Sequence, residues 1–239
     1  TTSDSTITDI GNTKNKIDAN NVTIPSYYIS DIKEGTLTIN PVTDAVIINV
    51  IGNNASKEYN GSSQDVSGYT WTATLNGNDV KSDITLTGPT KGEDTASGTD
   101  VGIYTMSMDN TQFAATSNRY SNFTINVTPG KLQITEKPVT LSTGSKSWEY
   151  DGSAHSLPDV TGTDAFYARD GITATASESV QEAGDNKTNA INVSSTAGTG
   201  KPGLGNYKIT KNEGTIRIVK NTDAVIINVI GNNASKEYN

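Results

Sequence analysis

Thr43–Asn60 reads TDAVIINVIGNNASKEYN, and Thr222–Asn239 reads the same residues in the same order. The match has a sharp left edge: Pro41-Val42 precedes the first copy and Lys220-Asn221 the second. A repeat unit therefore starts at Thr43, runs to Asn221 and begins again at Thr222, an offset of 179 residues. Self-similarity at a fixed period marks a chain assembled from recurring structural units. Inside the repeat, Val46–Ile51 is apolar at both odd and even positions. That pattern predicts a strand covered on both faces, or one that adds to an existing sheet.

A finer, divergent repeat lies within this one. An opening signal, Ser56-Lys57-Glu58-Tyr59-Asn60-Gly61-Ser62, returns as Ser147-Trp148-Glu149-Tyr150-Asp151-Gly152-Ser153 and, cut short, as Ser235-Lys236-Glu237-Tyr238-Asn239. A middle signal stands at Thr8-Asp9-Ile10-Gly11, Thr99-Asp100-Val101-Gly102 and Gln181-Glu182-Ala183-Gly184. A closing signal runs from Tyr28 to Gly35-Thr36-Leu37-Thr38-Ile39. It recurs from Asn122-Phe123 to Gly130-Lys131-Leu132-Gln133-Ile134 and from Asn206-Tyr207 to Gly214-Thr215-Ile216-Arg217-Ile218. Residues 1–42 are then the closing part of a module that lacks its opening strand. Residues 43–136 and 137–221 are two complete modules, and 222–239 is the opening strand of a further one, identical to 43–60.

Strand alternation fills the modules. Tyr69, Trp71, Ala73 and Leu75 share one face of a strand with threonines between them, and Ile103–Met108 alternates in the same way. Phe123–Val127 and Leu132–Ile134 are expected as two strands joined by a hairpin turn at Pro129-Gly130; Asn212-Glu213-Gly214 supplies the third copy's turn, with glycine taking positive φ. Asn60-Gly61 and Asp151-Gly152 are hairpin dipeptides. Only Asp109–Tyr120 reads as irregular or briefly helical, pinned by Phe113. Composition agrees: Ile, Val and Thr make up roughly 30% of the 239 residues and Leu about 3%, too little for a helical bundle. The expected fold is all-β: small β-sandwich modules, Ig-like or β-grasp-related, in tandem as an elongated rod.

The same arithmetic removes several function classes. No run of about 18 apolar residues is present, so no membrane span is expected. Thr1–Asp4 shows neither a basic nor an apolar leader region. A formal net charge of −8 without a Lys/Arg cluster argues against nucleic acid. With Cys 0 and His 1, thiolate chemistry is closed and His155 is the sole histidine ligand or base.

The ordered recurrence of SK-x-Y-[DN]-G-S, [TQ]-[DE]-x-G and N-[YF]-x-I…G-x-[LI]-x-I resembles the MBG-type tandem modules of bacterial cell-surface, adhesin-like proteins. It covers nearly the whole chain. The resemblance implies an extracellular, tandem, β-rich protein and carries no catalytic motif that could be transferred to these residues.

Candidate sites are sparse. His155 follows a turn and is expected as a surface-loop residue. The densest acidic spots, Glu93-Asp94 and Asp79 with Asp83, lie among Gly, Ser and Thr; solvated loops are the first reading, with structural Ca2+ between modules ahead of paired-carboxylate catalysis. Otherwise no cofactor is expected. Trp148 aligns with Lys57 in the other opening signal, a position expected to be exposed, and is the candidate binding aromatic for a glycan. Trp71 is expected in the core. Lys131 and Asn126, expected within one hairpin, are the nearest approach to an isopeptide pair. Ala224, Val225, Ile226, Ile227, Val229 and Ile230 form an apolar strand with no module following it, a candidate strand-exchange segment that could complete residues 1–42 of a neighbouring copy. The sequence thus points to a non-enzymatic spacer of an extracellular bacterial filament, stalk or adhesin. Its expected partners are copies of itself or adjacent modules. The alternative is a module that binds host glycans or proteins.

Overall fold

The computed structural model describes residues 5–8, 10–17, 31–196 and 203–238. Asp9 of the first middle signal and Tyr28, where the first closing signal starts, lie outside the described residues. The fold is all-β, made of multiple small mixed sheets, and it divides into two compact units, Thr1–Thr135 and Glu136–Asn239. Among the described residues no helix is long and apolar enough to cross a membrane.

The first unit contains β1 (Gly11–Asn15), β2 (Gly35–Ile39), β3 (Val46–Gly52), β4 (Ala55–Glu58), β5 (Gln64–Ser67), β6 (Tyr69–Leu75), β7 (Asn78–Asp79), β8 (Thr85–Thr87), β9 (Thr95–Gly98), β10 (Gly102–Thr105), β11 (Ala114–Thr116), β12 (Phe123–Thr128) and β13 (Lys131–Thr135). One sheet has the order β12-β3-β6-β7 and another β10-β13-β4; β5 pairs with β9, β8 with β11 and β1 with β2. In β3 the residues Val46, Ile48 and Val50 are fully buried, opposite the Trp71 and Ala73 face of β6, while Ile51 is half exposed. The expectation of cover on both faces is therefore corrected: β3 is central in its sheet and apolar cover lies on one side only. Trp71 is half-buried, with the Lys81 Nζ 4.5 Å from its ring centroid. The irregular stretch is a 3-10 turn at Asn110–Gln112. Asp109 accepts from the Thr111 N–H at 2.8 Å and its own N–H donates to Gln112 Oε1 at 2.9 Å, a capping box that leads Phe113 into the core.

The second unit contains β14 (Lys137–Thr143), β15 (Lys146–Glu149), β16 (His155–Ser156), β17 (Val160–Thr161), β18 (Ile172–Ala176), β19 (Ser179–Val180), β20 (Asn186–Thr188), β21 (Ile191–Ser195), β22 (Tyr207–Asn212) and β23 (Thr215–Val219). Its sheets run β17-β14-β22 and β15-β23-β20, with pairs β16-β19 and β18-β21.

Both units share one unusual pairing. β3 lies parallel to β12 with Val46 opposite Phe123, and β4 lies parallel to β13 with Ala55 opposite Leu132. The offset is 77 residues in both sheets, so the opening and closing segments run side by side and change sheets together. In the second unit β14 and β22 pair parallel from Lys137 opposite Tyr207, and β15 and β23 from Lys146 opposite Ile216, both offset by 70. The sheet change explains the glycines. A Cβ at Gly52 would meet the Gly130 backbone, with Gly130 Cα at 2.8 Å, and a Cβ at Gly130 would fall on the Asn53 carbonyl oxygen. Gly214 meets the Gly144 carbonyl in the same way.

Two sequence expectations are corrected here. β12 and β13 are not a hairpin, because they belong to different sheets, and neither Gly130 nor Gly214 has positive φ. Close approach of two backbones is what demands glycine there. Asn60-Gly61 and Asp151-Gly152 do turn the chain, with Gly61 at φ 76° and Gly152 at φ 79°. The strands they join pair elsewhere, however: β4 with β13, β5 with β9, β15 with β23 and β16 with β19.

Candidate functional site

The corner where the chain changes sheets is built alike in both units. The turn before β13 leaves the Lys131 N–H without a ladder partner, and Asn54 Oδ1 accepts it at 2.9 Å. At the matching place Ser145 Oγ accepts the Thr215 N–H at 2.9 Å. In the second unit the fully buried Asn189 adds a clasp. Its Nδ2 donates to the carbonyls of Leu157 at 2.9 Å and Gly144 at 3.4 Å, its N–H donates to the Gly214 carbonyl at 2.8 Å, and its own carbonyl accepts from Thr143 Oγ1 at 2.7 Å. One buried amide thus joins both strands of the crossing, satisfying backbone groups that the sheet change removes from the ladders. Sequence reading missed Asn189; the Asn-to-Gly214 separation carries no local signal.

β1 and β2 repeat part of the same frame. β1 and β2 pair antiparallel with Gly11 opposite Ile39 and Thr13 opposite Leu37. β10 and β13 pair antiparallel with Gly102 opposite Ile134 and Tyr104 opposite Leu132, which is the same register by the middle and closing signals. β13 is flanked on its other edge by β4, and β23 by β15. Among the described residues β2 pairs only with β1. The candidate exchange segment forms no strand. Val225, Ile226, Ile227, Val229 and Ile230 are 78–88% exposed, and Ala224 is exposed with them. Their counterparts Val46, Ile48 and Val50 in the identical stretch are fully buried.

Trp148 is not the exposed aromatic expected. It lies opposite Ile218 in the β15–β23 pair, as Lys57 lies opposite Ile134, and it packs half-buried on the cluster of Val180, Ile216 and Ile218, as Leu157 also does. The position faces inward at a rim. Lys is accepted there because its stem can lie along the apolar edge while Nζ reaches the Asp65 carbonyl at 2.6 Å. The outer face of the Trp148 indole is covered by His155, stacked at 5.1 Å and 19°, with Lys146 Nζ 5.1 Å from the indole centroid. His155 is accordingly half-buried on β16 rather than in a surface loop, and its Nε2 lies 3.0 Å from Asp151 Oδ1. The Ser153 N–H and then the His155 ring hold the Asp151 carboxyl below the usual range.

The acidic spots are tied into local turns. Asp79 accepts the Lys81 N–H at 2.9 Å, Glu93 accepts the Lys91 N–H at 2.9 Å, and Asp83 takes Arg119 Nη1 at 2.9 Å beside the Tyr120 hydroxyl. Arg119 and Asp83 line an open cleft together with the hydroxyl-bearing Ser82, Thr85, Thr116 and Ser117. Among the described residues no group of three or more His, Cys, Asp or Glu is placed to hold a metal. Asn126 donates to Asn49 Oδ1 at 3.0 Å on β12, while Lys131 starts β13 in the other sheet, so the two do not share a hairpin.

A buried polar pair also went unread in the sequence. Asp170, fully buried, accepts the Tyr207 hydroxyl at 2.7 Å, and the same oxygen of Tyr207 accepts the Tyr167 N–H at 2.9 Å. Burial first, then the Asp170 carboxylate, push the Tyr207 phenol up to about 12. The signal was half present, since Tyr207 belongs to the closing motif, but its partner sits in an unremarkable Ala-Arg-Asp-Gly turn. Compared with protein-family models and with curated proteins, the chain matches none of either.

Proposed function

We propose that the chain is a structural spacer of a bacterial extracellular filament, stalk or adhesin, built from tandem small β-sandwich modules in a rod and able to join head-to-tail by strand complementation. The carrying observation is the parallel pairing of each module's opening and closing segments. In a parallel pair, tension applied at the start of one strand and the end of the other slides the strands past each other. All the bonds of the ladder then resist together instead of opening one at a time. The register from Val46 opposite Phe123 to Glu58 opposite Thr135 makes such a clamp across two sheets, and Lys137–Glu149 repeats it. The likeness of the recurring signals to MBG-type surface modules supports the same reading.

Single-molecule stretching between the ends tests it. Each complete module should yield in its own force peak, releasing about 30 nm of chain at roughly 3.3–3.6 Å per residue for about 90 residues. Extension without resolved peaks would sink the mechanical reading. The second reading, glycan or host-protein binding, draws on the open cleft at Asp83 and Arg119. A glycan array with the Arg119→Ala variant as control decides it: signal lost in the variant favours binding, and no signal leaves the spacer reading alone.

A further inference from the structure

We infer that the edge of β2 away from β1, which pairs with no strand among the described residues, takes Gly231–Glu237 of a second copy of this chain as a parallel strand, in the register β4 keeps with β13. This rests on the tandem-module reading above and names the partner and the contact. The acceptor is defined by register: β1 and β2 reproduce the β10–β13 pair residue for residue, and in the complete modules the remaining edge is filled by β4 or β15. Its core is correspondingly short of cover. Leu37 and Ile39 are half-buried, whereas Leu132, Ile134, Ile216 and Ile218 at the same places are fully buried. The donor is defined by identity: Ala234-Ser235-Lys236-Glu237 repeats β4, and it is exposed and unpaired.

Two glycines supply an independent argument. Among the described residues, a Cβ at Gly35 would meet only Asn15 Cβ, at 3.9 Å, and one at Gly231 would meet nothing within 4 Å. Neither has positive φ. Nothing among the described residues requires glycine at either place. Their counterparts Gly130 and Gly52 lie back to back, each excluding a methyl group from the other. Bringing the donor onto β2 puts Gly231 against Gly35 in that same contact. Ala234 then stands opposite Leu37, Ser235 opposite Thr38 and Lys236 opposite Ile39, and Asn233 meets the Thr36 N–H as Asn54 meets that of Lys131. Donor and acceptor are different segments, so the contact is heterologous and propagates head-to-tail.

The test is sedimentation of the 239-residue chain over a range of concentrations, beside Gly35→Ala and Gly231→Ala. The parent mass should climb in multiples of 25.2 kDa, and each variant should stay at 25.2 kDa with the Tm that the parent shows at dilutions where it is a monomer. Because the chain holds no cysteine, the single variants Thr38→Cys and Ser235→Cys, mixed and oxidised, should give a crosslinked heterodimer. A parent that stays at 25.2 kDa throughout overturns the inference, including the case in which its own tail becomes protease-resistant by closing on its own β2. Oligomers that persist in either glycine variant also overturn it. Neither result touches the force peaks of the complete modules, which report the spacer reading separately.

Discussion

A methyl group at Gly130 would land on the Asn53 carbonyl oxygen and within 2.7 Å of the Gly52 carbonyl carbon; one at Gly214 would land on the Gly144 carbonyl. Backbone cannot yield there as a side chain could. Gly130→Ala and Gly214→Ala should each cost about 1–3 kcal/mol or more by denaturant unfolding. The same change at Gly231, where space is open, should leave stability unaltered. Tyr207 provides a second test at this scale. Its pKa in the folded chain, about 12, lies above the ordinary 10.0, so the folded state holds the proton more tightly than the unfolded state. Its contribution is therefore fully present below pH 10 and is lost as pH rises from 10 towards 12. Tyr207→Phe should be less stable at neutral pH, since Asp170 loses the donor at 2.7 Å, and should show a flatter decline across that alkaline window in thermal scans.

At the scale of the element, alternation was legible and partnership was not. β3 carries Ile48 inward and Ile51 outward on a strand whose letters look apolar throughout. Ile48→Thr should lower Tm by far more than Ile51→Thr, because only the first puts a hydroxyl in the core. Leu132→Ala on the doubly flanked β13 should cost about 2–5 kcal/mol. Leu37→Ala on β2 should cost less, since Leu37 is already half in water. The position of Trp148 shows why inference from one alignment failed. Lys57 at the matching place is exposed, opposite Ile134, with its Nζ on the Asp65 carbonyl. The bulky Trp148 packs instead on Val180, Ile216 and Ile218.

For the whole molecule, the two compact units each own a set of fully buried residues: Val46, Ile48, Val50, Leu132 and Ile134 in one, Leu141, Ile191 and Ile216 in the other. Scanning calorimetry should therefore place the loss from Gly130→Ala in the unfolding of Thr1–Thr135 and that from Gly214→Ala in the unfolding of Glu136–Asn239. The sequence by itself determined the β class, the alternation of strands such as Tyr69–Leu75 and the places where signals recur. Those properties are written in neighbouring residues and in self-comparison. Only the tertiary structure decided that opening and closing segments lie parallel, that they cross between sheets on paired glycines, and that Trp148 and Asn189 face inward. The reason is separation: the ladders join residues 77 and 70 positions apart, and no local preference records which distant strand a given edge will meet.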